Sequence, residues 1–280
     1  MLRLTRSIRF CVSPGEPADI ATKPDPHRNG YAAFPRPAGL ARYYELDIEC
    51  EGQPDANTGY LIDIKAIDRA VRATAIPMIA SACEHAPTTD PISMLPDLAR
   101  AIDDALPVTL ASLTWAITPT YCLELRMADQ TATPTATNAI ALIRQRFDFA
   151  AAHRLHVPSL SDEENQAAFG KCNNPSGHGH NYGIEPCVAI NLNDATHPFT
   201  LADLEHLVDE HLIDPFDHTH LNADTKEFAT DTGVNPSVEN IARVFFDRLK
   251  PAIAEASPAA ELRTIRVWET ERTSCTYPGE

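Results

Sequence analysis

The sequence predicts an α+β protein made of two tandem ββααββ units, each an antiparallel sheet with two helices on one face. Three observations predict it. Strand, strand, helix, helix, strand, strand can be traced through the second half, and the same order recurs more weakly in the first. Between them runs Met127-Ala-Asp-Gln-Thr-Ala-Thr-Pro-Thr-Ala-Thr-Asn138, a low-complexity stretch with nothing to bury, which reads as a linker. The expected organisation is a first domain over 1–127, a linker over 128–138 and a second domain over 139–280.

In the first half, Leu2 to Val12 and Tyr43 to Glu49 read as strands, separated by a Pro-rich surface loop over Ser13 to Gly39. Ile62 to Arg72 and Met94 to Leu106 read as helices, and Val108 to Ile117 and Tyr121 to Arg126 as the closing strands. In the second half, Ala141 to His153 is a β-like run, and Asn181 to Asn191 is another, rich in Val and Ile. Thr200 has the look of a helix cap, with Leu201, Leu204, Leu207, Val208 and Leu212 forming an apolar stripe. Ser237 caps a second helix carrying Val238, Ile241, Phe245 and Leu249 on one side. Leu262 to Thr270 and Ser274 to Tyr277 finish the unit as strands.

Composition excludes several classes of function. Of 280 residues, 44% are hydrophobic and 22% charged, which suits a globular chain rather than a disordered one. Acidic residues outnumber basic ones by 39 to 23, a formal charge of -16 that repels phosphate backbones and anionic lipid. Neither nucleic acid nor a membrane is therefore expected as a partner, although an anionic small substrate sees only its own pocket. No stretch reaches the roughly 20 apolar residues of a membrane span, and the start lacks the continuous apolar core of a signal peptide. The seven cysteines are odd in number, scattered and without a C-x-x-C pair, so a reducing cytoplasm is expected instead of a disulfide framework.

Chemistry concentrates in the second half, which holds nine of the eleven histidines. Phe169-Gly-Lys-Cys172-Asn-Asn-Pro-Ser-Gly-His178-Gly-His180-Asn-Tyr182 places two imidazoles two residues apart, hence on one face if a strand begins there. His153, ending the run Phe147 to His153, could join them from a neighbouring strand about 4.8 Å away and leave a fourth coordination position open, as catalytic zinc requires. A histidine pair on a solvated strand end is the ordinary alternative. Gly177, Gly179 and the preceding Cys172 tip the balance to a metal. Cys172 could itself be a fourth ligand, or a thiol held off the metal as base or nucleophile, and spacing does not separate the two.

Asp214-Pro-Phe-Asp217-His218-Thr-His220-Leu-Asn222 offers an adjacent Asp217 and His218 that could orient each other for proton transfer, or simply form a polar helix exit. Glu269 ends a partly apolar strand face, where its carboxylate needs a partner: an arginine, or the N–H edge of a 2-amino-4-oxo heterocycle.

Taken in order, Phe149 to Leu155, Gly170 to Tyr182, Asp217-His218 with Leu221-Asn222, Pro236-Ser-Val-Glu-Asn240, Trp268-Glu-Thr270 and Tyr277-Pro-Gly-Glu280 resemble the 6-pyruvoyltetrahydropterin synthase family across about residues 141–280. The resemblance implies the tunnelling fold (T-fold), whose ββααββ units join edge to edge into homo-oligomeric barrels with pockets between subunits. It implies that His153, His178 and His180 bind Zn2+, and that Cys172, Asp217 and His218 form the proton-transfer group. It implies that Glu269 anchors the pterin, helped by the Ser237 and Glu239 region. Ser237 stands where the family usually has Thr.

The first half departs from the pattern: Leu40 and Arg42 fall where His178 and His180 stand, and Ile117 where Glu269 stands. It is expected to be a degenerate repeat that covers sheet edges and lacks metal and pterin chemistry. The implied reaction is elimination of triphosphate from 7,8-dihydroneopterin triphosphate, with Mg2+ a further candidate ion for the leaving group. Two alternatives stand beside it. One is the 6-carboxytetrahydropterin synthase branch on the same substrate, in which the cysteine commonly sits closer to the His-Gly-His. The other is a non-catalytic pterin- or metal-binding assembly protein.

Overall fold

The computed structural model describes residues 1–13, 15, 35, 39–127, 140–193 and 199–279. The expected linker over 128–138 and nearly all of the expected Pro-rich loop lie outside them. The chain forms two compact units, Met1–Ile143 with Asn191–Asn193, and Arg144–Ile190 with Asp194–Glu280. Both are built from helices and a sheet that is antiparallel apart from the short parallel pair Ala151–Ala152 with Thr219–His220, so the fold class is α+β.

In the first unit, β1 (Leu2–Val12), β2 (Arg42–Gly52), β3 (Thr109–Thr118) and β4 (Tyr121–Arg126) pair in that order, every pair antiparallel. Period-2 alternation sends Ile8, Phe10, Tyr44, Leu46, Ile48 and Trp115 into the core. The opposite face is polar, where Arg9 donates to Glu45 at 2.9 Å twice and Ser112 donates to Glu49 at 3.0 Å. Three helices cover the apolar face: α1 (Ile64–Ala73), α2 (Ala75–His85) and α3 (Pro91–Asp103). Ile67, Ile76, Ile79, Leu95, Leu98 and Ile102 are fully buried, each worth about 1.5–3 kcal/mol of apolar transfer.

The sequence pattern predicts two helices here, and the third is a correction. Pro77 has no N–H for the carbonyl of Ala73, and its ring would collide with that carbonyl. One helix therefore stops at Ala73, pivots at Thr74 (φ -121°) and restarts as α2. Asp63 and Asp90 cap α1 and α3 by accepting from the N–H of Lys65 and Ile92.

The second unit begins at Arg144, within the last residues of β5 (Ile140–Gln145), and after Arg146 continues as β6 (Phe147–His153). Its sheet runs β8 (Thr219–His220), β6, β7 (His178–Asn191), β9 (Ala260–Thr270) and β10 (Thr273–Tyr277). The long strand β7 pairs β6 from His178 to Ile184 and β9 from Gly183 to Ile190. Its first residues therefore project past the β9 ladder, flanked on one side by β6.

The helix α6 (Val238–Ala256) buries Val238, Ile241, Phe245, Leu249 and Ile253 against this sheet. Phe149 transmits the contact, stacked on Tyr182 at 4.9 Å and tilted against Phe245 at 5.6 Å. Thr200 caps α5 (Leu201–Val208) in a capping box with Asp203. The helix then loosens into a π-turn at Asp209–Ile213 and ends in one further turn at Asp214–Phe216.

One helix of this unit, α4 (Asp162–Phe169), is absent from the pattern reading because it has no apolar stripe: Asn165 is its buried residue. Its signature was the capping box Ser161-Asp-Glu-Glu164, in which the Ser161 hydroxyl accepts from the Glu164 N–H and the Glu164 carboxylate accepts from the Ser161 N–H. Among the described residues, no helix is long and apolar enough to cross a membrane.

Candidate metal centre and active site

Strand register brings the three predicted histidines together. His153 at the end of β6 faces His178 at the start of β7, and His180 follows on the same side of β7. One ligand nitrogen from each lies within 4.8 Å of the others. The Nε2 atoms of His153 and His178 are 3.0 Å apart. Two nitrogens bound tetrahedrally at Zn–N distances of about 2.0–2.1 Å would be separated by about 3.3 Å, so little adjustment would be needed.

Burial and hydrogen bonding prepare these rings as ligands. The fully buried His153 has its pKa pushed down to about 4, first by desolvation, so the ring is neutral near pH 7. Its Nδ1 lies 2.7 Å from the carbonyl oxygen of Pro236, an acceptor only, which makes Nδ1 the protonated nitrogen and turns the Nε2 lone pair toward His178. The Tyr182 hydroxyl stands further off, at 3.3 Å. Desolvation also lowers the pKa of His178.

His180 Nε2 is buried without a hydrogen-bond partner, a costly state for a neutral ring nitrogen and the expected one for a nitrogen that takes a cation. Cys172 does not belong to the group of convergent ligand atoms. The donor set therefore fits a metal ion with three imidazole ligands.

Backbone constraints hold the set in place. Gly177, directly before His178, has φ +70°, and a Cβ there would lie 2.6 Å from His220 Nε2 and 3.0 Å from the His153 carbonyl. After His153, the Asn222 side chain clasps the backbone of Arg154: Oδ1 accepts from its N–H at 2.7 Å and Nδ2 donates to its carbonyl at 3.1 Å. Pro236 is held through its neighbours, since Asn240 Nδ2 donates to the Asn235 carbonyl at 2.8 Å and Asn235 Oδ1 accepts from the His156 N–H at 3.1 Å. The sequence counts Gly177 only as part of the case for a metal and gives no role to Tyr182, His220, Asn222 or Pro236. All five stand inside the quoted motifs, but a backbone carbonyl such as that of Pro236 has no side-chain signature.

Glu269, near the end of β9, reaches the same cluster: its Oε1 is 3.5 Å from His153 Nε2 and 3.7 Å from His180 Nε2. Cys172 lies in the 3₁₀ turn Gly170–Asn173, partly exposed, where its carbonyl accepts from the Leu155 N–H at 2.9 Å. Among the described residues its Sγ makes no hydrogen bond.

Asp217 and His218 form the expected pair, with His218 Nδ1 2.7 Å from Asp217 Oδ2. The other Asp217 oxygen accepts from the Ala150 N–H at 2.8 Å, the main reason that its pKa is lowered. His218 has φ +56° and donates its N–H to the Ala150 carbonyl at 2.6 Å. Its side chain is 83% exposed and, with His180, lines an open depression floored by Ala150, Ala152 and Gly179. Ser237 accepts from the Asn240 N–H at 3.4 Å as cap of α6, and Glu239 stands exposed in that helix's first turn, its charge felt by the Cys275 thiol.

A sheet that gathers three imidazoles and a carboxylate at one strand end, with a histidine–aspartate pair nearby, defines a protein with a metal-centre type of active site. Residues 142–280 match the family model described as 6-pyruvoyl tetrahydropterin synthase. Over 141 residues the chain is 39% identical to the 6-pyruvoyl tetrahydrobiopterin synthase of Homo sapiens, covering 50% of this chain and 92% of that protein. The chain belongs to the 6-pyruvoyl tetrahydropterin synthase family through its second half. It is 26% identical over 124 residues to the 6-carboxy-5,6,7,8-tetrahydropterin synthase of Haemophilus influenzae, covering 39% of this chain and 84% of that one. It also resembles the solved 6-pyruvoyl tetrahydropterin synthase of Caenorhabditis elegans, with 34% identity, 50% of this chain and 96% of that chain covered, and a TM-score of 0.45. The family match leaves the first 141 residues outside it.

Proposed function

We propose that this protein is a zinc-dependent 6-pyruvoyltetrahydropterin synthase that eliminates triphosphate from 7,8-dihydroneopterin triphosphate. The observation that carries the reading is the convergence of His153, His178 and His180, with a carboxylate oxygen of Glu269 at 3.5–3.7 Å from two of them. The 39% identity to a protein named for this activity supports the same reading.

His153, His178 and His180 would hold the zinc ion. Bound zinc supplies Lewis acidity toward the side-chain hydroxyls of the pterin. Cys172, outside the ligand set, would take a carbon-bound proton as thiolate, and His218 would move protons at Nε2 while Asp217 fixes Nδ1. Glu269 would receive the N–H edge of the pterin ring, with Ser237 and Glu239 at the start of α6 as lesser contacts. The five residues between Cys172 and His178, together with the lower identity to the 6-carboxy enzyme, favour the pyruvoyl product.

A tandem T-fold reading of the whole chain, with a degenerate repeat over 1–127 and a catalytic domain over 139–280, has its own support. In the first unit Phe10 pairs across strands with Tyr44, and in the second Phe149 pairs with Tyr182, both as aromatic contacts. Counting outward from those pairs, Arg42 corresponds to His180 and Leu40 to His178. Ala116 and Ile117 likewise correspond to Trp268 and Glu269, through their pairing with Glu45 and Gly183. We take the assembly to be a cytoplasmic homo-oligomer closed edge to edge. Incubating the zinc-loaded protein with dihydroneopterin triphosphate tests the activity: mass spectrometry should detect free triphosphate and the 6-pyruvoyl product. Acetaldehyde release would point to the carboxy branch, and an unchanged substrate would refute both.

A further inference from the structure

Arg248, on α6, reaches into the segment that delivers Asp217 and His218. Its Nε donates to the His211 carbonyl at 3.1 Å, its Nη1 pairs with Glu227, and its guanidinium carbon lies 5.2 Å from the centre of the Phe216 ring. The His211 carbonyl needs such a donor. In an α-helix it would accept from the residue four positions on, which is Pro215 and has no N–H. The chain answers with the π-turn over Asp209–Ile213, in which the Asp214 N–H reaches back to the Asp209 carbonyl.

From that turn the connection to the pair is short and stiff. The Asp217 N–H donates to the Ile213 carbonyl at 2.8 Å. Phe216, fully buried, packs at 4.9 Å from Phe245 and 5.9 Å from Phe228, and its carbonyl accepts from Thr219 Oγ1 at 2.7 Å. His218 then turns into the left-handed region, a conformation uncommon for any residue but glycine, and the surrounding contacts hold it there.

We infer that Arg248 is a positioning residue: by capping the His211 carbonyl and covering Phe216, it fixes the π-turn that sets the left-handed His218 and its hydrogen bond to Asp217. The guanidinium is held in turn by Glu227, whose carbonyl accepts from the Val234 N–H at 2.8 Å. The inference rests on the reading of Asp217–His218 as a proton-transfer pair, and its structural part stands on the clamp alone.

The test uses the full-length, zinc-loaded protein and the variants Arg248→Met and Arg248→Lys. Misplacing a catalytic group by about an ångström can cost on the order of 100-fold, so Arg248→Met should lower kcat by about 10–100-fold. KM and zinc content should stay within about twofold. In 15N-histidine-labelled protein, the His218 ring resonances, assigned from a His218→Gln sample, should broaden or shift in Arg248→Met and recover in part in Arg248→Lys. Variants that melt earlier while keeping wild-type kcat and unchanged His218 signals would overturn the inference. If Arg248→Met does not fold, Glu227→Gln must move kcat and the His218 signals in the same direction, and a wild-type result there overturns it equally. If the wild-type protein turns over no pterin triphosphate, the functional reading fails, while the resonance comparison still decides the clamp.

Discussion

The Nδ1 of His153 lies 2.7 Å from the carbonyl of Pro236, 83 residues further along the chain, and this contact decides which nitrogen of the imidazole faces His178. The buried ring resists protonation, with its pKa at about 4 against the ordinary 6.5. An unfolded His153 takes a proton below about pH 6.5, whereas the folded one does so only near pH 4. Stability linked to this residue is thus fully present above about pH 6.5 and lost as pH falls toward about 4, by about 3 kcal/mol in all. Urea unfolding of metal-free wild-type and His153→Gln proteins between pH 8 and 4.5 measures it. The gap between the two should narrow with acid, and parallel curves would rule this origin out.

Gly177 should tolerate no side chain. At φ +70° an L-residue is strained by about 1–2 kcal/mol, and the added Cβ also meets His220 Nε2 at 2.6 Å. Gly177→Ala is expected to lower stability by about 1–3 kcal/mol and to weaken zinc binding, because the turn leads directly into His178. The His220→Ala change should recover part of the loss in the double variant and leave the backbone portion. Full recovery in thermal melts would show that the left-handed turn costs nothing.

The parts of this structure written in local alternation were legible in the sequence. The strand ends carrying His153, His178 and His180 follow from period-2 placement, and Ser237 and Thr200 announce their helices as caps. What escaped lacked a local signature. The α2 helix is hidden behind Pro77, and α4 has no apolar stripe to reveal it. The supports of the site come from far along the chain, as with Asn222 on Arg154 and the Pro236 carbonyl on His153, and no periodicity records such pairings.

Asn222 offers a way to weaken the centre without touching a ligand. Its amide satisfies both backbone groups of Arg154, the residue after His153. Asn222→Ala would leave that N–H and carbonyl without their partner, at about 1–3 kcal/mol, and free the end of β6 to shift. Supports of this kind typically contribute 10–100-fold to metal affinity, so zinc affinity by competition titration should fall by about that factor. An unchanged affinity in a folded variant would mean that His153 is held by Pro236 alone.

Cys172 and the histidines should separate cleanly in metal analysis. Cys172 stands outside the convergent ligand group, and its thiol is assigned to proton abstraction, a step typically worth about 10²–10⁴-fold. Cys172→Ala should therefore bind zinc at wild-type stoichiometry and lose about that much turnover. His180→Ala, by contrast, removes a nitrogen that is buried without a hydrogen-bond partner, so the protein should fold with the metal largely gone. Elemental analysis beside single-turnover assays of both variants distinguishes the roles. Stoichiometric zinc loss from Cys172→Ala would make the sulfur a fourth ligand, close the coordination position that the substrate hydroxyls need, and exclude the proposed chemistry.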